Sequence, residues 1–144
     1  MSVHIFDLLG FAVQSGASDI HLAAGEVPAL RINGEVRRLD QEALSLEDSK
    51  RMAYSIMNEK QKAIFENHLE LDFSIGKKGL GRFRVNGFHS VKGVAMVLRL
   101  VPVKGWTLAD LKGPKIFRRI ADLHRGLVLV TGPTGSGKST TLAA

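Results

Sequence analysis

A chain of 144 residues is long enough for a domain with a sizeable core, and its 44% hydrophobic and 24% charged residues indicate a folded protein rather than a disordered one. The absence of cysteine excludes disulfides and thiolate metal sites and is compatible with a reducing compartment. No apolar run approaches ~18 residues, and Asp7 interrupts the first apolar stretch. We therefore expect neither a membrane span nor a signal peptide, and predict a cytoplasmic protein.

The charge is unevenly distributed along the chain. Residues 1–76 carry 7 basic and 12 acidic side chains, whereas residues 77–144 carry 13 basic and 2 acidic ones, for a net charge of +6. A basic half could attract nucleic acid, an acidic protein surface or a nucleotide. Because this half has few aromatic residues on which bases could stack, nucleic acid is the least favoured of the three.

The first third of the chain predicts a helix followed by three short strands. We expect Ser2 to cap a helix that runs to about residue 15 and is terminated by Gly16. Residues 18–22 alternate as a strand, with Ile20 and Leu22 facing inward and Asp19 and His21 facing outward.

A hairpin follows, in which the turn Asn33-Gly34 joins strands 29–32 and 35–39. A two-residue turn pairs Ile32 with Glu35, so the apolar faces of the two strands do not match. Either the hairpin carries a bulge or both of its faces are partly covered.

The middle of the chain predicts two helices and three strands. Ser45 begins a helix that buries Met52, Ala53, Ile56 and Met57, and after a break at Asn58 a further helix covers residues 59–68. The predicted strands are 69–75, 82–86 and 94–101, with a turn at residues 76–79.

The pattern changes near residue 102, where we place a domain boundary. Residues 1–101 form the first domain and residues 102–112 a linker in which Thr107 caps a brief helix, and the second domain begins at residue 113. Pro114 suits the first position of a helix that ends near residue 124. The apolar run 126–131 has the length of a strand buried on both faces.

The residues after this run match the phosphate-loop pattern G-x-x-x-x-G-K-[ST] at every fixed position. Glycines allow the loop to turn its N–H groups toward phosphate oxygens, and the helix that follows directs its positive dipole end at the same anion. Lys138 would contact the β- and γ-phosphates of ATP, and the Ser139 hydroxyl would bind Mg²⁺. The predicted nucleotide-binding residues are Gly132, Pro133, Thr134, Gly135, Ser136, Gly137, Lys138, Ser139 and Thr140.

ATP hydrolysis needs more than this loop. It requires an acidic residue near Mg²⁺ and a group that positions the attacking water. Residues 140–144 contain no Asp or Glu. We therefore interpret the 144 residues as a fragment that does not hydrolyse ATP alone, and assign no catalytic residue within it.

Three arginines lie on the strands that precede the boundary. Arg82 and Arg84 share one strand face, and Arg99 lies on the next strand. Such a face is usually solvated or paired with carboxylates. Arginine is also well suited to reaching a phosphate held elsewhere, because its planar fork binds two oxygens at once.

Five segments of the chain together match a known family pattern, namely residues 17–22, 31–36, 70–73, 82–86 and 125–144. They resemble the type IV pilus twitching-motility retraction ATPases (PilT-like) of the secretion and pilus ATPase superfamily. The resemblance implies an α/β protein in which an amino-terminal α+β (PAS-like) domain precedes the truncated start of a RecA-like P-loop domain.

Several functional expectations follow from the same resemblance. It implies a homohexameric ATP-driven motor that works with a pilus inner-membrane platform protein. It also implies that Arg82, Arg84 and Arg99 act on a nucleotide in the ring. A nucleic-acid-translocating or secretion-assembly P-loop ATPase is the alternative.

Overall fold

The computed structural model describes residues 4–101 and 105–144. The chain divides into two compact units, Met1–Pro102 and Val103–Ala144. No helix among the described residues is long and apolar enough to cross a membrane.

The first unit is a mixed α/β structure built on one antiparallel sheet. Its six strands lie in the order β3-β2-β1-β6-β5-β4. The elements in chain order are α1 (Ile5–Gln14), β1 (Asp19–Ala23), β2 (Ala29–Ile32), β3 (Glu35–Arg38), α2 (Leu46–Ser55), α3 (Glu59–His68), β4 (Glu70–Lys77), β5 (Gly81–Ser90) and β6 (Gly93–Val101).

All three helices contribute to a single hydrophobic core on one face of the sheet. α1 packs on β1, α2 on β6 and α3 on β4. From the sheet the core takes the residues of every second position, including Ile20, Leu98 and Val85. The opposite face of the sheet therefore carries the residues between them, which include the three candidate arginines.

The helix ends follow local sequence signals. Gly16 has φ 67° and its N–H bonds to the Val13 carbonyl, so it terminates α1 as predicted. The Ser2 cap lies outside the described residues. Ser45 accepts a hydrogen bond from the Asp48 N–H and begins α2 as predicted, while Asn58 and Gln61 form a reciprocal capping box at α3.

Several boundaries in this region differ from the prediction. Ile56 and Met57, expected on the buried face of α2, follow the end of that helix, and Ile56 is only partly buried. Leu69, expected to begin a strand, is the left-handed cap of α3 with φ 60°, because its N–H still bonds to the Phe65 carbonyl. β4 then extends to Lys77, past the predicted end of that strand.

The hairpin has the two-residue turn that Asn33-Gly34 predicts, with φ values of 52° and 86°. Ile32 pairs with Glu35 and the register continues without interruption, so the hairpin has no bulge and that predicted alternative is wrong. The partly covered alternative is also wrong for β3, which is exposed along its whole length because it is the edge strand of the sheet.

The second unit contains α4 (Ile116–Ala121) and α5 (Lys138–Ala143). Thr107 caps a turn at residues 108–112 rather than a helix, accepting a hydrogen bond from the Asp110 N–H at 3.1 Å. α4 begins two residues after Pro114, whose carbonyl accepts from the Phe117 N–H.

The strand predicted at residues 126–131 is wrong, since this segment has no regular structure. Leu127 and Leu129 are 83% and 74% exposed. A strand buried on both faces needs a partner on each side, and no strand among the described residues pairs with this segment.

Candidate functional site

The predicted phosphate loop adopts a backbone that glycine makes possible. Gly132, Gly135 and Gly137 have φ values of 149°, 82° and 84°, in the region that other residues rarely adopt. A Cβ atom at Gly132 would also lie 2.9 Å from the Ser136 Oγ atom. The backbone conformation explains why glycine occupies the first and last of these positions in the motif, and the short contact adds a second reason at Gly132.

Lys138 begins α5 and folds back over the loop. Its Nζ atom donates to the carbonyl of Gly132 at 2.8 Å and to the carbonyl of Pro133 at 2.7 Å. The ammonium group therefore lies at the mouth of the loop, beside its first two residues.

A cavity of about 330 Å³ opens at this loop. Its lining includes six of the nine predicted nucleotide-binding residues, namely Thr134, Gly135, Gly137, Lys138, Ser139 and Thr140. A polyphosphate requires hydrogen-bond donors, which the backbone N–H groups of the glycine-rich loop, the lysine and the hydroxyl groups can supply. The residues present therefore fit a polyphosphate. Among the described residues no cluster of three or more His, Asp or Glu could hold a metal ion. Ser139, predicted from the motif to contact Mg²⁺, lines this cavity.

The first unit presents a second polar site, on the open face of its sheet. The strand register places Arg31, Asp19, Arg99, Arg84 and Ser74 side by side, in a row that crosses five strands. We call this set the arginine row.

Asp19 is the centre of the arginine row. Its carboxylate accepts hydrogen bonds from Arg99 Nε at 2.7 Å and from Ser18 Oγ at 2.9 Å, and it lies 3.4 Å from Arg31 Nε.

The Asp19 side chain is only 5% exposed, whereas that of Arg99 is 70% exposed. The prediction that Asp19 faces outward is therefore correct for the face of the sheet but wrong for solvent exposure. Burial by itself raises the pKa of Asp19, but the hydrogen bonds from Arg99 and Ser18 and the charges of Arg99 and Arg31 outweigh it and lower the pKa below its ordinary value. Asp19 is thus a buried carboxylate that stays ionised at neutral pH.

The other two predicted arginines have partners on β4. Arg84 Nη2 donates to Asp72 Oδ2 at 3.3 Å, and Arg82 Nη2 donates to Ser74 Oγ at 3.1 Å. A shallow cavity of about 380 Å³ lies beside Arg84 and Arg99 and is also lined by Asp72, Asn86 and Val97. The structure therefore brings Arg84 and Arg99 together and leaves Arg82 outside this cavity lining.

Sequence reasoning missed Arg31 and the role of Asp19. Both belong to segments that the resemblance covers, but only the pairing of β1 with β2 and β6 brings them next to Arg99. The alternation of residues 18–22 indicated the correct face of β1, and it carried no information on which strands lie beside it.

The chain belongs to the Type II/IV secretion system protein family, whose model matches residues 3–144. It is 49% identical over 140 residues to "Type IV pilus retractation ATPase PilT" of Pseudomonas aeruginosa, covering 97% of this chain and 41% of that protein. It is 41% identical over 137 residues to "Type IV pilus ATPase PilU" of the same organism, covering 95% of this chain and 36% of that protein.

A solved structure gives the same family relationship. "Crystal Structure of the Pilus Retraction Motor PilT and Bound ADP" matches with a TM-score of 0.86 and 44% identity, over 98% of this chain and 41% of that one. The chain thus spans about two-fifths of the length of these relatives.

Proposed function

We propose that this chain acts in an ATP-driven motor that retracts type IV pili and so powers twitching motility. The observation that carries the proposal is the phosphate loop, with Lys138 held over its mouth by two backbone carbonyls. The 49% identity to a pilus retraction ATPase, against 41% to PilU, favours the retraction ATPase as the type of motor.

In this proposal the loop binds the phosphates of ATP. The N–H groups around Gly135 and Gly137 donate to phosphate oxygens, and Lys138 leaves its two carbonyl partners to neutralise the β- and γ-phosphates. Ser139 contributes its hydroxyl to Mg²⁺, which supplies charge neutralisation at the phosphates.

The arginine row has a separate part in the proposal. Arg84 and Arg99, with Arg82 as a third candidate, contact the nucleotide held by another subunit of a homohexamer. A guanidinium brought to the phosphates in this way stabilises charge that develops in the transition state. The motor acts on a pilus inner-membrane platform protein, and nucleic acid is not its substrate.

A chimera tests the proposal in cells. Residues 1–144 are joined to the part of P. aeruginosa PilT that lies outside the match, and the chimera is produced in a strain that lacks PilT. We expect twitching to be restored, and to be lost again in the Lys138→Ala chimera, which serves as the matched control. A chimera that assembles and hydrolyses ATP but does not restore twitching would contradict the proposed function.

The nucleic-acid alternative is tested on the purified chain. Binding through several phosphate contacts would make the logarithm of the DNA affinity fall steeply with the logarithm of salt concentration. We expect no specific binding and no such slope.

A further inference from the structure

The guanidinium of Arg99, in the arginine row, makes a hydrogen bond through its inner nitrogen. Arg99 bonds to Asp19 through Nε, which lies at the base of the planar fork. Its side chain is 70% exposed. The Nε contact restricts the orientation of the group, and both terminal nitrogens are left without a hydrogen-bond partner among the described residues.

The neighbouring arginines use terminal nitrogens in hydrogen bonds to other residues of the chain. Arg31 Nη1 donates to the Gly34 carbonyl at 3.0 Å, and Arg84 Nη2 donates to Asp72 at 3.3 Å. Within the described residues, Arg99 makes its hydrogen bond through Nε alone. Of the arginines in the row, Arg99 therefore presents the most complete fork to an incoming group.

Arg84 and Arg99 are also direct cross-strand partners on β5 and β6. Like charges at such positions repel, since their Cβ atoms lie about 5 Å apart. An anion between the two side chains would relieve this repulsion. The cavity of about 380 Å³ lies at this pair.

We propose that Asp19 is a positioning residue that orients the Arg99 guanidinium, so that Arg99, with Arg84 beside it, binds the oxygens of a polyphosphate. This inference rests on the proposed function and deepens it, because it selects Arg99 among the three candidate arginines and assigns a role to Asp19.

Positioning and simple electrostatics predict opposite results when the Asp19 charge is removed. Coulomb attraction alone predicts tighter anion binding, since the row gains net positive charge. Positioning predicts weaker binding, because an unfixed arginine must be ordered when the anion binds. Ordering one long side chain corresponds to a loss of about 3- to 10-fold in affinity.

The experiment is a titration of the 144-residue chain with inorganic triphosphate at low ionic strength. Binding is monitored during the titration by NMR signals of the arginine side-chain N–H groups and of the backbone amides of the phosphate loop. We expect Asp19→Asn to weaken binding at Arg99 by about 3- to 10-fold. Asp72→Asn removes a carboxylate on the same face that occupies a terminal nitrogen of Arg84, and we expect it to tighten binding. Glu35→Gln, on the edge strand, controls for the loss of one charge.

An Asp19→Asn chain that binds triphosphate at Arg99 as tightly as the parent, or more tightly, would overturn the inference. If Asp19→Asn fails to fold, two further measurements test whether Asp19 orients Arg99 for anion binding. Arg99→Lys keeps the charge but lacks the fork and should also weaken binding. In the parent chain the Arg99 Nε–H should exchange slowly with solvent, and fast exchange would contradict its bond to Asp19.

The NMR signals separate this inference from the proposed function. If triphosphate shifts only the signals of the loop amides, the proposed nucleotide site is supported and the role of Arg99 is refuted. Triphosphate that shifts Arg99 but not the loop amides refutes the nucleotide site and supports the arginine row as an anion site.

Discussion

Replacing Phe65 by alanine should remove the main attachment of α3 to the sheet. Phe65 is fully buried and is the only buried residue of α3. Its ring meets Tyr54 edge-on at 6.2 Å and lies 4.9 Å from the ring of His89 on β5. α3 thereby supports the strands whose opposite face carries Arg82 and Arg84.

The expected cost follows from the buried area. A buried phenylalanine removes about 200 Å² from water, which at ~25 cal/mol per Å² is about 5 kcal/mol. Phe→Ala replacements in cores typically cost about 3–5 kcal/mol. We therefore expect the Phe65→Ala chain to lose about 3–5 kcal/mol, a large part of the ~5–15 kcal/mol by which domains are usually stable.

Urea denaturation followed by circular dichroism measures this loss. Phe11→Ala is the matched control, because Phe11 is 51% exposed on α1 and its replacement should cost less than about 1 kcal/mol. Equal losses for the two variants would refute the assignment of Phe65 as the anchor of α3. If Phe65→Ala does not fold, Phe65→Leu should still lower stability more than Phe11→Leu.

Three further predictions address the backbone, the buried carboxylate and the phosphate loop. Gly93→Ala should clearly lower the melting temperature, because Gly93 has φ 119° and a Cβ atom there would lie 2.6 Å from Leu46 Cδ2. Gly76→Ala is the control and should leave the melting temperature unchanged, because a Cβ atom at Gly76 would meet open space. The ionised Asp19 stabilises the fold at neutral pH and should lose this contribution as the pH falls below its ordinary pKa of 3.8 and through its lowered folded value. Between pH 7 and about pH 3 the free energy of unfolding should then fall more for the parent than for Asp19→Asn. Equal decreases would contradict a stabilising role of the ionised carboxylate. Lys138→Ala should abolish ATP hydrolysis by the chimera while the first unit keeps its circular dichroism spectrum, and unfolding of that unit would show that the two units are not independent.

The sequence by itself determined the features that depend on neighbouring residues. The Asn33-Gly34 turn, the Ser45 cap and the Gly16 helix end are made by residues within a few positions of one another. The glycines of the phosphate loop belong to the same class, because each one permits a local backbone conformation. Short-range hydrogen bonds and steric limits on φ decide such features without reference to the rest of the chain.

Only the tertiary structure decided which strands are neighbours, and with them the arginine row. Arg99 reaches Asp19 across 80 positions of sequence because β6 pairs with β1, and this pairing also buries a carboxylate that strand alternation placed in solvent. The apolar run at residues 126–131 shows the same dependence in the opposite sense. Its sequence favours a buried strand, yet a strand forms only where partners supply its backbone hydrogen bonds and cover its faces.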